Sequence, residues 1–370
     1  MTRVVIVGCG IIGAAIAYEL SLVSGLTVTV VDRYQPATQS TAAALGVLMG
    51  VISHKTKGRA WALRRESMAR YETLIPELEA CNGYAIPFNR QGILMLGFEG
   101  ENWHRWQELA TIRREQGFHL ELMDQPTVRS HYPQINCERV TGAIYSHRDR
   151  QVNPTTITKA LVAAAQKNGA KFNFGVNVEG WEITQDSHGQ KLCQRLNTAS
   201  GSLPADWVVV AAGLGSTPLL QSQSLPSGVT IKPVLGQALK LRCGEPLGGN
   251  HPQPVITGDD VHIVPLGGAE YWVGATVEFP DPSGEVQPQP QQLDSILQGA
   301  IAICPALAQG EIIHQWHGLR PRPEGRPAPV IGPLAGFANV LLATGHYRNG
   351  VLLAPATALE IRQMIINCGI

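Results

Sequence analysis

The chain has 370 residues, 44% of them hydrophobic and 16% charged, with 29 basic against 29 acidic side chains and no formal net charge. That length exceeds one small core and fits two domains, or one domain with a large insertion, and the composition is that of a globular rather than a disordered chain. With no net field to steer them, neither a nucleic acid nor an anionic membrane surface is expected as a partner.

In chain order, "RVVIVG" (3–8) is a β-branched apolar run that predicts a buried parallel strand. "IIGAAIAYELSLVSG" has helical spacing, and "LTVTVVD" (26–32) predicts a second strand, which makes half of a βαβ unit. A long helix is expected from Lys57 to Ala80, with Arg59, Arg64, Arg65 and Arg70 read as mainly a solvated face. After Pro87 the texture changes to the strand-like "GILMLGF", an amphipathic helix around 101–116, and an irregular stretch to residue 140. Residues 154–168 predict a helix opened by Pro154 behind Asn153, and "ADWVVVAAGLGS" (205–216) predicts a buried strand running into a glycine turn. From 230 to 280 the strands "KPVLGQALKLRC", "VHIVPL" and "EYWVGATVEF" are longer and mixed in polarity, as in an antiparallel sheet with one face covered. "QPQPQQ" precedes a helix to about Ile303, and after "EIIHQWHGLRP" the strand "ANVLLATG" and a closing helix return to α/β texture.

Gly8, Gly10 and Gly13 form G-x-G-x-x-G between strand and helix, and Asp32 ends the next strand. The glycines permit a tight turn and close approach of a pyrophosphate to the helix N-terminus, and Asp32 can accept hydrogen bonds from a ribose. The bland alternative is a turn that serves helix packing alone. The predicted class is therefore α/β: a Rossmann-like dinucleotide-binding domain (1–86, 141–220 and 317–370) with an inserted α+β substrate-binding domain (87–140 and 221–316) on an antiparallel sheet.

The first ninety residues leave NAD and FAD open. FAD is favoured by "STAAALGVLMG" (40–50), a nearly charge-free stretch able to lie against a planar ring, by the second glycine turn at Gly213, and by the return of the C-terminal segment to the first domain. Seven cysteines (Cys9, Cys81, Cys137, Cys193, Cys243, Cys304 and Cys368) are odd in number and never spaced C-x-x-C, suggesting neither a disulfide framework nor zinc. His314 and His317 fall on opposite faces of a strand, and no metal site is expected. The first strand begins by Arg3, no apolar run reaches the length of a membrane span, and a soluble cytoplasmic protein is expected. No G-x-S-x-G, H-E-x-x-H or P-loop motif occurs, so the cofactor is expected to carry the chemistry, with no catalytic side chain assigned.

Among the late arginines, Arg322 and Arg326 read as partners of surface carboxylates. Arg348 lies between glycines just before a helix, where a cation opposes the helix dipole; an anionic ligand there would explain it.

The G-x-G-x-x-G with Asp32, "STAAALGVL", "VVVAAG", "GLRP" and "GHYRNGVLLAPAT" together resemble the glycine oxidases of the D-amino-acid oxidase superfamily, of the type serving thiazole formation in thiamine biosynthesis. The resemblance implies non-covalent FAD, in agreement with the absence of cysteine from the "GLRP" and "GHYRNG" regions. By position it makes Arg348 the carboxylate clamp and Arg320 a second substrate contact. It places Ile11, Ile12, Asp32, Arg33, Ser40, Thr41, Leu45, Gly46, Val47 and Val178 against FAD, with His346, Tyr347, Arg348, Asn349, Gly350, Val351 and Leu352. His262 stands where relatives carry a tyrosine, and Asp260 replaces a neighbouring histidine. His262 is expected either to line the site, donating to a carboxylate and titrating near neutrality, or to be a satisfied structural histidine.

The reaction so implied is hydride transfer from the α-carbon of a small amino acid to the flavin, giving an imine, with the helix near Val351 stabilising charge on the flavin and oxygen as acceptor, yielding hydrogen peroxide. A D-amino-acid or proline dehydrogenase feeding a quinone or carrier, and a flavin-bearing assembly or sensor protein without turnover, stay open. Relatives assemble as tetramers, so a homo-oligomer is expected.

Overall fold

The computed structural model describes residues 1–185, 189–221 and 228–368. Its six-stranded sheet runs in the order Val330–Pro333, Val340–Thr344, Trp207–Val210, Thr2–Val7, Leu26–Asp32, Lys171–Phe174, parallel except for the first pair. Alternation along Thr2–Val7 sorts its two faces. Val4 and Ile6 join a core with the helices Ile11–Ser21, Pro154–Lys167 and Gly350–Asn367. Val5 and Val7 join another with Trp181, Cys193 and Leu196 of a three-stranded antiparallel sheet. Coverage on both sides is why the strand reads as an unbroken apolar run. Asn153 caps the helix Pro154–Lys167, its Oδ1 accepting from Thr156 N at 2.9 Å.

The second, eight-stranded sheet has the order Glu311–Pro323, Ile231–Arg242, Glu270–Gly274, Val261–Gly267, Val255–Gly258, Ile93–Phe98, Val140–Ser146, Glu121–Asp124. It is antiparallel apart from the pair Val255–Gly258 and Ile93–Phe98, which is parallel and joins the two halves of the insertion. Residues 141–146 and 317–323, expected in the first domain, are strand residues of this sheet. The stretch expected to be irregular up to 140 holds the strand Glu121–Asp124 and the helix Gln125–His131, capped by Asp124 Oδ1 on Thr127 N at 2.9 Å. One face of the sheet packs Leu94, Ile263, Val273 and Leu239 under the helix Pro290–Ile303. The other packs Ile93, Ala238 and Val264 against Leu45, Val51 and Ile52.

The helix Gly58–Asn82 corrects the reading of its arginines as mainly solvated. Arg65 is exposed, but Arg64 is buried at 7% exposure, and Arg70 pairs with Glu19 at 2.8 Å and Glu77 at 2.7 Å. Arg59 pairs with Glu360 at 2.7 Å. These partners lie largely on the neighbouring helices Ile11–Ser21 and Gly350–Asn367, invisible to a local charge pattern. No helix among the described residues is long and apolar enough to cross a membrane.

Candidate functional site

The glycine turn divides its labour. Gly8 has φ +106, and a methyl group on it would lie 2.5 Å from Ala211 O; one on Gly13 would lie 1.9 Å from Gly8 O. Both let backbone pass close to backbone. Gly10 differs: within 4 Å its added methyl would meet only Thr41 Oγ1, at 3.1 Å. The N-terminus of the helix Ile11–Ser21 therefore opens on free space, with no side-chain cap from Gly10 and with Ile11 N donating to Thr41 Oγ1 at 3.0 Å. Asp32 is fixed by the turn it flanks, accepting from Cys9 N at 2.5 Å and Tyr34 N at 2.8 Å, one bond to each oxygen. Each oxygen keeps acceptor capacity for a hydroxyl. Arg33 lies over the Tyr34 ring, its Nη2 near Gly215 of the second glycine turn. Gly213 O accepts from Thr344 Oγ1 at 3.2 Å, and Val176 N donates to Asp32 O at 3.0 Å, bringing the buried Val178 toward the same end of the sheet.

Residues Ser40–Val47 are keyed into the eight-stranded sheet. Ser40 Oγ donates to Leu319 O at 2.6 Å and Trp316 Nε1 to Ala43 O at 3.1 Å. A methyl on Gly318 would lie 2.2 Å from Ala43 Cβ, and one on Gly274 would lie 3.3 Å from Leu45 Cδ1. Gly46, at φ +70, passes Val152 O so closely that a methyl would lie 1.9 Å from it, and Val47 pairs with Gln151. Just beyond, the buried Asp149 carboxylate accepts from Gly50, Val51 and Ile52 N–H groups at 2.7, 2.8 and 2.9 Å. Burial pushes the Asp149 pKa up against the pull of these donors. Arg113, fully buried, donates to Val51 O and Ser53 O, both at 2.6 Å, and lies 3.7 Å over the Trp61 ring; burial lowers its pKa to about 10. Sequence reasoning missed this brace because its members lie far apart along the chain.

At the C-terminal end, a 3₁₀ turn, Tyr347–Asn349, leads directly into the helix Gly350–Asn367, which starts next to Val351 as expected. Tyr347 has φ +53, a left-handed conformation unusual for a bulky side chain. Pro355 inside the helix lacks the N–H that would bond to Val351 O, and Tyr71 Oη supplies the donor at 2.5 Å. The buried His346 bonds through Nε2 to Thr357 Oγ1 at 2.9 Å; Thr357 donates to Leu353 O, so its hydroxyl accepts from His346. Asn349 gives the helix no side-chain cap and accepts from Arg64 Nη2 at 3.3 Å.

The three candidate substrate contacts come together here. Arg320, on Glu311–Pro323, donates through Nη1 to Leu235 O at 2.9 Å, and its guanidinium lies over Gly236, where a methyl would be 2.2 Å from Nη2. Burial and the nearby Arg348 lower its pKa. Arg348 has a side chain 43% exposed, with Nη2 3.8 Å from Asp260 Oδ1. His262 lies opposite Gly274, which lies opposite Ala238 and then Trp316, a row on the face that meets Ala43 and Leu45. Burial, then Arg348 and Arg320, push His262 down to about 4, with Asp260 opposing. The expectation that it titrates near neutrality is corrected: it is a neutral imidazole. Arg322, read as a carboxylate partner, instead lies over the rings of Phe279 and Tyr347.

A helix N-terminus open over Gly10, a ribose-type acceptor at Asp32 and a second uncapped helix at Gly350 fit a dinucleotide cofactor. The model of the family described as DAO, FAD dependent oxidoreductase, matches residues 3–364. The bifunctional protein ThiO/ThiG of Trichormus variabilis is 34% identical over 369 residues, covering 99% of this chain and 53% of that protein. The chain thus spans about half the length of that relative. The glycine oxidase of Geobacillus kaustophilus is 28% identical over 362 residues, covering 98% of this chain and 92% of its own. Among solved structures, the glycine oxidase from Bacillus cereus ATCC 14579 superposes with a TM-score of 0.86 at 26% identity, covering 100% of this chain and 96% of the other.

Proposed function

Because this chain belongs to the family of FAD-dependent oxidoreductases, whose model spans residues 3–364, we propose that it oxidises glycine or another small amino acid to the corresponding imine. The observation that carries this reading is the convergence of Arg320 and Arg348 on the sheet face that meets residues 43–45, beside an uncapped helix N-terminus. A largely buried cation, Arg320, whose pKa is lowered by burial and by the neighbouring Arg348, calls for an anion. Among the described residues, Asp260 is the sole carboxylate within ion-pair distance of Arg348. An α-carboxylate matches the planar fork of a guanidinium in size and charge.

FAD would be held by Gly8, Gly10 and Gly13 with the N-terminus of Ile11–Ser21 at its phosphates, by Asp32 at its ribose, and by Ser40–Val47 with the turn at residues 346–352. Bound there, it supplies the acceptor for the hydride lost from the substrate carbon. The chain's own contribution is orientation: Arg348 and Arg320 hold the carboxylate, which fixes the direction of the α-carbon. The Tyr71 bond to Val351 O and the Arg64 bond to Asn349 tie the residues that follow Arg348 to the helix Gly58–Asn82. The positive end of Gly350–Asn367 adds potential that favours anionic charge. Supply of an imine to thiazole formation in thiamine biosynthesis is the role that the likeness to the ThiO/ThiG protein supports.

Mixing the FAD-loaded protein anaerobically with glycine tests the reading. Bleaching of the visible absorbance is expected, and an absorbance that stays unchanged at saturating glycine rules glycine out. Oxygen consumption with peroxide formation during turnover tests molecular oxygen as acceptor. Arg348→Ala should raise the KM by about 10- to 100-fold, or about 1.4–2.7 kcal/mol, toward the low end of the ~2–5 kcal/mol for breaking a fully buried pair because Arg348 is nearly half exposed.

A further inference from the structure

We propose that Arg322 forms a second carboxylate-binding point at the mouth of the pocket, so that the site prefers amino acids carrying a second carboxylate to those with an alkyl group in its place. The proposal rests on the reading of Arg348 and Arg320 as the α-carboxylate site. Three observations carry it.

The first is placement. Arg322 follows Arg320 by two residues on Glu311–Pro323, so both leave the same face of the strand, about 7 Å apart at the backbone. The Arg322 guanidinium lies 5.9 Å from the centroid of the Tyr347 ring, and Tyr347 directly precedes Arg348. It lies 5.2 Å from the centroid of the Phe279 ring. The Phe279 segment is itself fixed beside Arg320. Glu278 N donates to Leu235 O at 3.0 Å and Leu235 N to Glu278 O at 2.9 Å, and Leu235 O is also the acceptor for Arg320 Nη1. One ring thus ties Arg322 to the Arg348 turn and the other ties it to the strand that holds Arg320. Two carboxyl carbons separated by three atoms lie about 5 Å apart when extended, within reach of both guanidinium groups.

The second is access. Arg322 is exposed, Phe279 is 56% exposed and the Arg348 side chain 43%. Both cations are open to a ligand arriving from solvent, with no group to be uncovered first.

The third is unmatched charge. Among the described residues Arg322 has neither an ion-pair nor a hydrogen-bond partner, and its contacts are the two rings. The carboxylates of neighbouring residues are taken. Lys232, opposite Arg322 on the adjoining strand, pairs with Glu324 at 2.5 Å. Glu278 is buried, and its oxygens accept from Gln237 Nε2, Thr276 Oγ1 and Gln289 N. Asp260 is the sole described carboxylate within ion-pair distance of Arg320, Arg322 or Arg348. One α-carboxylate therefore leaves the outer cation, Arg322, unanswered. A guanidinium lying over aromatic rings keeps its edge N–H groups free, and that edge matches a carboxylate.

The test uses ligands that differ only at the outer end. Acetate, pentanoate and glutarate should each compete with glycine in the FAD-loaded wild type. Glutarate is pentanoate with its terminal methyl replaced by a carboxylate. Its inhibition constant should be about three- to fivefold below that of pentanoate at low salt, and the ratio should fall toward one in Arg322→Gln. N-carboxymethylglycine and N-ethylglycine form the same matched pair as substrates, and the ratio of their kcat/KM values should fall in parallel. Arg326→Gln, which removes another exposed cation four residues along the chain, should keep the wild-type inhibitor ratio. Bound FAD and the melting temperature of Arg322→Gln should stay close to those of the wild type, since the residue is exposed. Equal inhibition constants for glutarate and pentanoate in the wild type would overturn the proposal, as would a ratio that survives in Arg322→Gln. An equal fall in Arg326→Gln would reveal a diffuse field rather than a binding point, and a fall accompanied by loss of FAD would mark a structural arginine; either refutes the assignment. If acetate fails to compete in the wild type, the carboxylate reading of Arg348 and Arg320 fails, an outcome read separately from the ratio.

Discussion

Asp260 Oδ1 stands 3.8 Å from Arg348 Nη2, and this ion pair answers the charge conflict at the mouth of the last helix. Asp260 is held there by a two-residue hairpin turn between Val255–Gly258 and Val261–Gly267, in which Asp259 and Asp260 both have positive φ, at 49° and 61°. A turn of this hand suits the twist of the hairpin but favours Asn and Gly over two aspartates. The pair is long, and Asp260 is 83% exposed, so it holds Arg348 weakly.

Removing that resident anion should favour an incoming carboxylate. Asp260→Asn is expected to lower the KM for glycine and the inhibition constant for acetate by about two- to fivefold at low salt, with stability changed by less than ~0.5 kcal/mol. The gain should shrink as salt is added, since both charges are solvent-exposed. A KM that rises instead would show Asp260 assisting the substrate rather than competing with it.

The two glycines of the nucleotide turn should separate cofactor binding from folding. A methyl on Gly13 collides with Gly8 O at 1.9 Å, whereas one on Gly10 meets Thr41 Oγ1 alone, at 3.1 Å. Gly13→Ala should therefore lower the melting temperature of the flavin-free protein and abolish FAD binding. Gly10→Ala should leave the flavin-free melting temperature within a few degrees of wild type and weaken FAD by at least about tenfold, because the methyl fills the space over the helix N-terminus. Unchanged FAD affinity in Gly10→Ala would move the pyrophosphate away from this turn.

His346 makes stability depend on pH. Burial holds its folded pKa at about 3, against 6.5 for a free histidine. Between those values the unfolded chain binds a proton that the folded chain does not, so unfolding is favoured as pH falls. The contribution is complete above pH 6.5 and declines toward pH 3, at ~1.4 kcal/mol per pH unit. In His346→Gln the loss of stability from pH 6.5 to 4 should be shallower by that amount, read from melting temperatures across the range. Parallel profiles for the two proteins would falsify the assignment.

Tyr71 and Pro355 form a matched pair, one lacking a donor and the other supplying it. Tyr71→Phe should strand Val351 O in a buried setting and cost about 1–3 kcal/mol. If that bond also steadies the Arg348 turn, the KM for glycine should rise while FAD stays bound. The double variant Tyr71→Phe with Pro355→Ala, which restores the helix N–H, should regain most of the lost stability, and its failure to do so would separate the two residues.

The amino-acid sequence by itself determined the features whose cause is local. The strand, glycine turn and helix at Thr2–Ser21, the Asn153 cap and the glycine-ended strand at Trp207–Val210 follow from apolar periodicity and from what glycine, proline and asparagine permit in the backbone. Arg348 was conspicuous because a cation before a helix contradicts the dipole beside it. Tertiary structure alone decided which sheet took residues 141–146 and 317–323, since pairing partners are chosen across the chain rather than along it. It also decided that Arg64 and Arg70 are ties between helices and that Asp149 and Arg113 brace residues 50–53. The state of His262 belongs with these: its neutrality comes from burial and from two arginines on other segments of the chain, and a residue's charge is set by the groups around it in space.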